Sequence, residues 1–330
     1  MKIKRSIQVR VVLLLVALGV FLAAGCQGKS GSALSVKYGG QYYPEEFLLK
    51  GHTEFWQQYD LNVEHILFSS GTENNQALIA GDIHINVGSD SKTVSLFGAI
   101  PDQALIIATI QRGDRYSTIV RTDSPYQTWY DLKGKTVGTR LGTGAEQVLL
   151  RYFDQTDDLS WDDFEWVNLK IEDMVAALGS GSIEAFTAWE PTPAIAESQG
   201  LGRVLRSYGD IALVPVSIHT TVKYAEGHRE EIVRFLAAHL DKVEMINGEP
   251  DQAAQLAAQA ASAQGIDVSA DAFKRIFERV YFGLEIDEDV LASIEDTARF
   301  LYENDKIDAV PEFRWDTSFL EEAKSLRAEK

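Results

Sequence analysis

The feature that most constrains the fold of this chain is a regular alternation of strand-like and helix-like segments between residues 34 and 217. Residues 104–110 are almost entirely apolar, which is typical of a strand covered on both faces. Residues 62–68 and 83–87 are two further predicted strands, and a helix-like segment lies between them. This alternation predicts an α/β protein in which helices cover the faces of a mostly parallel sheet.

The pattern divides into two such units followed by a helical region. A second unit begins near Tyr116, and the length of 330 residues allows about two domains. Residues 211–218 are the last predicted strand, in which Pro215 marks either a sheet edge or a crossing between units. After about Thr220 the apolar spacing is that of helices only, and Ser269 is predicted to cap one of them.

The N-terminus has the parts of a bacterial export signal. Residues 2–10 contain four basic side chains, residues 11–22 are apolar, and Cys26, the only cysteine, follows a run of small residues. The apolar run is short for a membrane-spanning helix. We therefore expect a lipoprotein signal peptide over residues 1–25, a lipid on Cys26 that holds the protein at a membrane, and a polar tether over residues 26–35. An ordinary secretory signal and an uncleaved membrane anchor are the alternatives.

Charge and motifs exclude several classes of function. Cleavage before Cys26 would remove four basic residues and no acidic ones, so the net charge would change from −18 to −22. A chain with this charge repels nucleic acid. The six histidines are scattered, and the sequence contains neither H-E-x-x-H nor G-x-S-x-G. We therefore expect no nucleic-acid partner, no metal, no cofactor and no catalytic residue.

Two helix-capping motifs point to a ligand site between the units. Residues 70–73 and 143–146 both read S/T-x-x-E directly after a predicted strand and loop. Each should begin a helix at the carboxyl edge of a sheet, where open α/β sheets bind ligands. The free N–H groups of a helix N-terminus suit an anion, although plain capping is the alternative. The candidate residues of these segments are Ser70, Gly71, Thr72, Thr143 and Gly144.

Residues at other strand ends add to this set. Ser89 and Asp90 follow a predicted strand, where small side chains let a ligand approach the backbone; an ordinary turn is the alternative. Tyr42 and Tyr43 follow the first strand, either as a wall of the site or as half-buried rim residues.

Trp189 and Glu190 end a strand of the second unit. The indole offers a flat apolar wall with one donor, and the carboxylate can accept from an amine or amide. A core tryptophan followed by residues that begin a helix is the alternative.

Several motifs occur in an order that resembles a known family. D-L-K-G-K at residues 131–135 and W-E-P at residues 189–191 are the most specific. The other matching segments are residues 68–72, 77–83, 88–89, 136–138 and 176–185. From about Val36 to Lys223 the chain resembles the ABC-transporter solute-binding proteins for taurine, aliphatic sulfonates, nitrate and thiamine-precursor pyrimidines, the NMT1/THI5-like family.

The resemblance implies a two-lobed periplasmic binding protein (type II) fold. Two mixed sheets, flanked by helices, would be joined by crossing strands near residues 116–120 and 213–218. Lobe 1 would comprise residues 36–117 and 218–330, with the C-terminal helical segment packed on it, and lobe 2 would comprise residues 118–217.

The resemblance also implies a function without chemistry. Such proteins are extracytoplasmic, bind a small polar organic molecule between the lobes, and deliver it to an ABC permease and its ATPase. We expect a monomer of this kind, with a sulfonate, a taurine-like zwitterion or a pyrimidine-like nitrogen compound as the ligand. A ligand-sensing subunit for a membrane receptor and an exported enzyme on the same scaffold are the alternatives.

The motifs and the resemblance together indicate cleft residues from both units. They are Tyr42, Tyr43, Ser70, Gly71, Thr72, Ser89, Asp90, Arg140, Thr143, Gly144, Trp189 and Glu190. Arg140 is the only obvious cation expected near the ligand, so the carboxylates of Asp90 and Glu190 should repel a bare inorganic anion. They favour a ligand with donor groups, such as an amine, an amidine-like heterocycle or a zwitterion.

Overall fold

The computed structural model describes residues 34–330 of the chain. The predicted signal peptide, the predicted lipidation site Cys26 and the predicted tether up to residue 33 lie outside the described residues. The last two residues of the predicted tether, Leu34 and Ser35, belong instead to the first strand, β1 (Leu34–Gln41).

The first sheet has six strands of mixed direction. Their spatial order is β11 (Tyr281–Phe282), β4 (Ala104–Arg112), β10 (Val216–Thr221), β3 (Ile85–Ser89), β1 and β2 (Leu61–Phe68). Strand β1 pairs with β3 in parallel, whereas β10 runs antiparallel to both of its neighbours. Strand β4 is buried along nearly its whole length, as its apolar sequence predicts.

Helices in the strand connections cover this sheet. They are α1 (Pro44–Gly51), α2 (Glu54–Gln57), α3 (Gly71–Ala80) and α4 (Asp90–Ala99). The pattern predicts one helix over residues 45–59, but the structure divides it into α1 and α2. Ser70 caps α3 as predicted, because its side chain accepts the Glu73 N–H at 3.4 Å. Helix α4 is not predicted from the sequence, and it begins directly after β3.

The second sheet has five strands and is also mixed. Their order is β7 (Glu165–Asn168), β6 (Thr136–Thr139), β8 (Ala185–Trp189), β5 (Tyr116–Arg121) and β9 (Gly202–Ser207). The helices of this lobe are α5 (Gly144–Asp154), α6 (Met174–Ser180) and α7 (Thr192–Ser198). Strand β9 is an edge strand with half-buried side chains, so its sequence lacks the apolar run that identifies β4.

The chain passes between the sheets twice, through residues 113–115 and 208–215. Two mixed sheets, flanked by helices and joined by two crossings, confirm the predicted two-lobed α/β architecture. The lobe limits at residues 117 and 217 stay a prediction, although Tyr116 already begins β5 of the second sheet and Val216 already begins β10 of the first.

The last predicted strand begins later than the sequence indicates. The pattern predicts it from residue 211, but β10 begins at Val216, directly after Pro215. A proline inside a central strand would remove a hydrogen bond of the ladder. Because β10 lies between β3 and β4, the edge interpretation of Pro215 is wrong, and its place at the end of the second crossing supports the other interpretation.

The C-terminal region is helical as predicted, except for the two-residue strand β11. Its helices are α8 (Val222–Gly227), α9 (Arg229–Gly248), α10 (Pro250–Ala263), α11 (Ala270–Arg279), α12 (Glu288–Glu303) and α13 (Ser318–Ala328). Ser269 caps α11 by accepting the Ala272 N–H at 3.2 Å. Helix α10 packs on α1 and α12 packs on α4, so this region covers the first lobe. Within residues 34–330, no helix combines the length and the apolar character needed to cross a membrane.

Candidate functional site

Side chains from both lobes meet in the gap between the two sheets. Arg140 Nη2 of the second lobe lies 3.4 Å from Glu73 Oε1 of the first. Gln147 Nε2 of the second lobe donates to Asp90 Oδ2 of the first at 3.2 Å. The lobes are therefore in direct contact, and polar groups in the gap between them are removed from water.

Arg115 lies in the first crossing segment, at the junction of the lobes, and only 1% of it is exposed. Its Nη2 donates to the Tyr116 hydroxyl at 2.8 Å, and its guanidinium lies 5.1 Å from the ring centroid of Tyr43. Nε and Nη1 have no hydrogen-bond partner among residues 34–330. No described carboxylate forms a salt bridge with this guanidinium. Burial lowers the pKa of Arg115, but Tyr116, Tyr43 and Glu45 outweigh it and raise the pKa, so the guanidinium stays charged. A buried cation in this state favours an anionic partner.

Tyr116 brings three of the predicted residues together. A Cβ atom at Gly144 would lie 2.2 Å from the Tyr116 hydroxyl, so only glycine allows this approach. Burial raises the pKa of Tyr116 to about 12, although Arg115 and Ser89 act in the opposite direction. Tyr116 also pairs with Trp189 across the β5–β8 ladder, with ring centroids 6.4 Å apart. Tyr116 therefore connects Ser89 of the first lobe with Gly144 and Trp189 of the second.

Trp189 is buried, and its indole N–H has no acceptor among the described residues. Buried indole N–H groups usually find an acceptor. The free donors of Trp189 and Arg115 belong to the two residues that flank Tyr116. Both are buried donors without an acceptor among the described residues.

Asp90 is buried, and both of its carboxylate oxygens have partners. Oδ1 accepts the Ser91 N–H at 2.7 Å, and Oδ2 accepts from the Thr297 hydroxyl at 2.6 Å as well as from Gln147. Burial raises the pKa of Asp90, while these three hydrogen bonds act in the opposite direction. Asp90 therefore ties α4 to α5 of the second lobe and to α12.

Glu190 is engaged in a similar way. Its Oε1 accepts from Arg279 Nη2, and its Oε2 accepts the Ala194 N–H at 3.1 Å. Burial raises the pKa of Glu190, and Arg279 lowers it. The expectation that Asp90 and Glu190 favour a ligand with donor groups thus loses its basis, because other groups of the chain already satisfy both carboxylates.

The first capping segment faces a buried lysine of the same lobe. Lys92, in the first turn of α4, is 7% exposed, and its Nζ donates to the Thr72 hydroxyl at 3.2 Å. Gly71 lies against the stem of this lysine. The predicted residues Ser70, Gly71 and Thr72 therefore adjoin a cation, and the expectation that Arg140 is the only cation near the site is wrong.

The second capping segment lies across the gap. Thr143 Oγ1 accepts the Ala145 N–H at 3.3 Å and donates to the Arg140 carbonyl at 2.6 Å. Glu146 does not complete the predicted capping box, because its carboxylate accepts the Gly142 N–H at 2.6 Å instead. Thr143 begins its helix as predicted, but its hydroxyl is partnered within the chain.

Tyr42 lines a largely apolar cavity of about 390 Å³ between the lobes. The lining includes Tyr42, Phe47, Ile171, Glu172, Val175 and Ile195. Of the predicted site residues, Tyr42 alone contributes to this lining. Tyr43 and Arg115 are not among the lining residues, although the guanidinium of Arg115 lies over the ring of Tyr43, the residue that follows Tyr42. Apolar walls suit the hydrocarbon part of a ligand better than an ionic head.

Sequence reasoning missed Arg115, Tyr116 and Lys92. The first two stand at the start of a predicted crossing strand, and that position was the available signal. Lys92 lies in the first turn of a helix, where a basic side chain opposes the helix dipole. The unusual position of Lys92 cannot be recognised from the sequence, because the sequence does not predict α4. Within the described residues, no cluster of histidine, cysteine and acidic side chains could hold a metal ion.

Two mixed sheets joined by two crossings, with buried donors where the lobes meet, define the two-lobed fold of the periplasmic binding proteins. An alkanesulfonate-binding protein from Xanthomonas axonopodis pv. citri, bound to MOPS, shares this fold with a TM-score of 0.72 and 19% identity, over 84% of this chain and 94% of its own. A desulfurization enzyme also shares the fold, with a TM-score of 0.62. The chain belongs to the family described as NMT1/THI5 like, whose model matches residues 47–253.

Curated relatives agree with this family assignment. A protein of Escherichia coli strain K12, named for binding aliphatic sulfonates, is 25% identical over 64% of this chain and 66% of its own length, just under two thirds. A protein of the same name in Bacillus subtilis strain 168 is 25% identical over 88% of this chain and 89% of its own.

Proposed function

We propose that this chain is an exported solute-binding protein of an ABC importer and that it binds a small organic anion between its lobes. The relatives' names support sulfonates as the class of ligand. The observation that carries the proposal is the buried guanidinium of Arg115, which has two nitrogens without an acceptor. A sulfonate head has three oxygens that can accept from Arg115 and from the Trp189 indole. The largely apolar cavity between the lobes, which Tyr42 lines, is large enough for the organic part of such a ligand.

The mechanism is binding without chemistry. The ligand contacts both lobes only when they close, so closure is favoured by the contacts that it creates. The closed form then docks on a permease, whose ATPase drives import. A lipid on Cys26 would hold the protein at the membrane, and mass spectrometry of the mature N-terminus tests this. We retain a monomer with lobe limits at residues 117 and 217 as part of the proposal.

Calorimetry with ethanesulfonate tests the role of Arg115. We expect the variant Arg115→Met to weaken binding by at least about a hundredfold, because the anion loses a desolvated charge partner. Arg121→Met is a matched control at the other end of β5, since Arg121 pairs with Asp123 at the surface and should leave binding unchanged. Equal affinity of the Arg115→Met variant and the unchanged protein would remove Arg115 from the site. An absence of binding by the unchanged protein would reject this sulfonate as a ligand.

An enzyme is the second candidate function, because a desulfurization enzyme shares the fold. Incubation with ethanesulfonate should return the ligand intact, with no sulfite released. Turnover at more than a background rate would replace the transport proposal with an enzymatic one.

A further inference from the structure

The stem of Lys92 is held in the gap by a close fit to α3. A Cβ atom at Gly71 would lie 2.5 Å from Lys92 Cγ, so a side chain at this position would displace the lysine. Asn75 Nδ2 also donates to the Lys92 carbonyl at 2.8 Å, which fixes α4 against α3. The lysine is therefore held in place along its length and does not extend into solvent.

The ammonium of Lys92 has one neutral partner. Nζ donates to the Thr72 hydroxyl, which leaves two of its three N–H groups for other acceptors. No carboxylate of the described residues forms a salt bridge with it. A buried ammonium normally has an anionic partner, because the loss of hydration is otherwise uncompensated.

Charged groups of the second lobe face Lys92 but are already paired. Glu146 accepts from Lys306 Nζ at 3.1 Å and from the Gly142 N–H. Arg140 pairs with Glu73. Burial lowers the pKa of Lys92 to about 8, and Glu146 raises it while Arg140 lowers it further. The chain thus surrounds the ammonium without neutralising it.

Lys92 and Arg115 lie on two sides of Ser89. Lys92 follows Ser89 by three residues on the same helix, a separation of about 5 Å along its axis. Ser89 in turn acts on Tyr116, whose hydroxyl accepts from Arg115. Ser89 and Tyr116 therefore connect two buried cations, neither of which has a salt-bridge partner among residues 34–330.

We propose that Lys92 is a second anion-binding residue of the gap and that the protein prefers a small dianion, with one acidic group at Arg115 and another at Lys92. This inference rests on the proposed function, since it places both groups in the same ligand. A sulfonate that also carries a carboxylate belongs to this class.

The test compares ethanesulfonate, a monoanion, with sulfoacetate, a dianion of similar size. Calorimetry at pH 7 uses the unchanged protein and three variants: Lys92→Met, Arg115→Met and Lys223→Met. Methionine retains the packing of the lysine stem without the charge, and Lys223 is an exposed lysine of α8 in the first lobe. Thermal unfolding of each variant confirms that it is folded.

We expect the unchanged protein and the Lys223→Met variant to bind sulfoacetate at least about tenfold more tightly than ethanesulfonate. In the Lys92→Met variant this preference should disappear, with a loss of less than about threefold for ethanesulfonate. Equal binding of the two probes by the unchanged protein, or equal losses for both in the Lys92→Met variant, overturns the inference.

The proposed function survives that result if ethanesulfonate binding still depends on Arg115. Sulfoacetate binding that requires Lys92 but not Arg115 supports a role for Lys92 and overturns the two-cation arrangement. Binding of neither probe overturns the inference on Lys92 and rejects both sulfonates as ligands.

Discussion

Two charged regions between the lobes are both buried, yet they are partnered in opposite ways. Around Asp90, each carboxylate oxygen has a donor from the chain, and two of the donors, Gln147 and Thr297, come from other parts of the molecule. Around Arg115, two guanidinium nitrogens have no acceptor among the described residues. The first region holds the lobes and α12 together, whereas the second leaves donors for a ligand to satisfy.

The largest effect that tests this contrast is on stability. We expect Asp90→Ala to lower the free energy of unfolding by about 2–3 kcal/mol, because Thr297 and Gln147 lose their buried acceptor. Arg115→Met should cost the ligand-free protein less than about 1 kcal/mol, because it loses the hydrogen bond to Tyr116 but removes a buried charge that has no salt-bridge partner among residues 34–330. Urea unfolding of the two variants without ligand measures both. A loss of stability in Arg115→Met as large as that in Asp90→Ala would break the comparison.

Much of the fold is predictable from the sequence because many of its helices and strands follow from patterns of a few neighbouring residues. The apolar run of β4 and the capping residues Ser70 and Ser269 are visible within a few neighbouring residues, and the structure confirms each one. Helix α4 escapes prediction because it is buried on nearly all sides by tertiary packing, so its polar and apolar residues show no helical period. The central place of β10 depends on strand pairing, which a local pattern does not carry.

The site is less predictable, because the partners of its residues are remote in sequence. Thr297 lies 207 residues from Asp90, and Arg279 lies 89 residues from Glu190. Both partners belong to C-terminal helices whose sequences do not reveal where they pack. From the sequence, Asp90 and Glu190 look available to a ligand, but in the structure their carboxylates already accept hydrogen bonds from other parts of the chain. Arg115 is the opposite case. The sequence indicates an exposed arginine in a loop, but the structure buries it where the two sheets meet and leaves two of its nitrogens without an acceptor among the described residues.

A smaller effect, on ethanesulfonate affinity, tests whether the indole N–H of Trp189 binds the ligand together with Arg115. Trp189→Phe retains the ring but removes the unpartnered N–H, so ethanesulfonate affinity should fall by about tenfold while stability is retained. Trp129 is a matched control, because its Nε1 already donates to the Tyr208 hydroxyl at 3.0 Å. Trp129→Phe should lose about 1 kcal/mol of stability and no affinity. Calorimetry that shows unchanged affinity for Trp189→Phe would move Trp189 into the structural core.

A pH dependence separates Lys92 from the partnered groups. The pKa of Lys92 in the free protein is lowered by burial to about 8, and a bound anion raises it again. The part of the affinity that depends on the ammonium is therefore full below pH 8, where Lys92 is protonated in the free protein. It declines as the pH rises from 8 toward the higher pKa of the complex, because the free protein loses this proton first. We expect sulfoacetate binding to weaken by about fivefold between pH 7 and pH 9. Lys92→Met should be flat over this range, and a flat profile for the unchanged protein would exclude this ammonium from the site.

The smallest expected difference concerns taurine, which adds an ammonium to a sulfonate. Since Asp90 and Glu190 are both occupied by donors of the chain, that ammonium gains no open carboxylate from them. Taurine should therefore bind no more tightly than ethanesulfonate, because its ammonium also meets the like charge of Lys92. A preference for taurine above about tenfold would show that a carboxylate becomes free in the complex. Two variants would then identify that carboxylate. Loss of the preference in Glu190→Gln would mean that Glu190 leaves Arg279 to bind the ammonium, and its loss in Glu172→Gln would mean that the ammonium contacts Glu172 in the cavity wall. The affinity of taurine thus shows whether Asp90 and Glu190 keep their partners within the chain when a ligand is bound, as they do in the ligand-free protein.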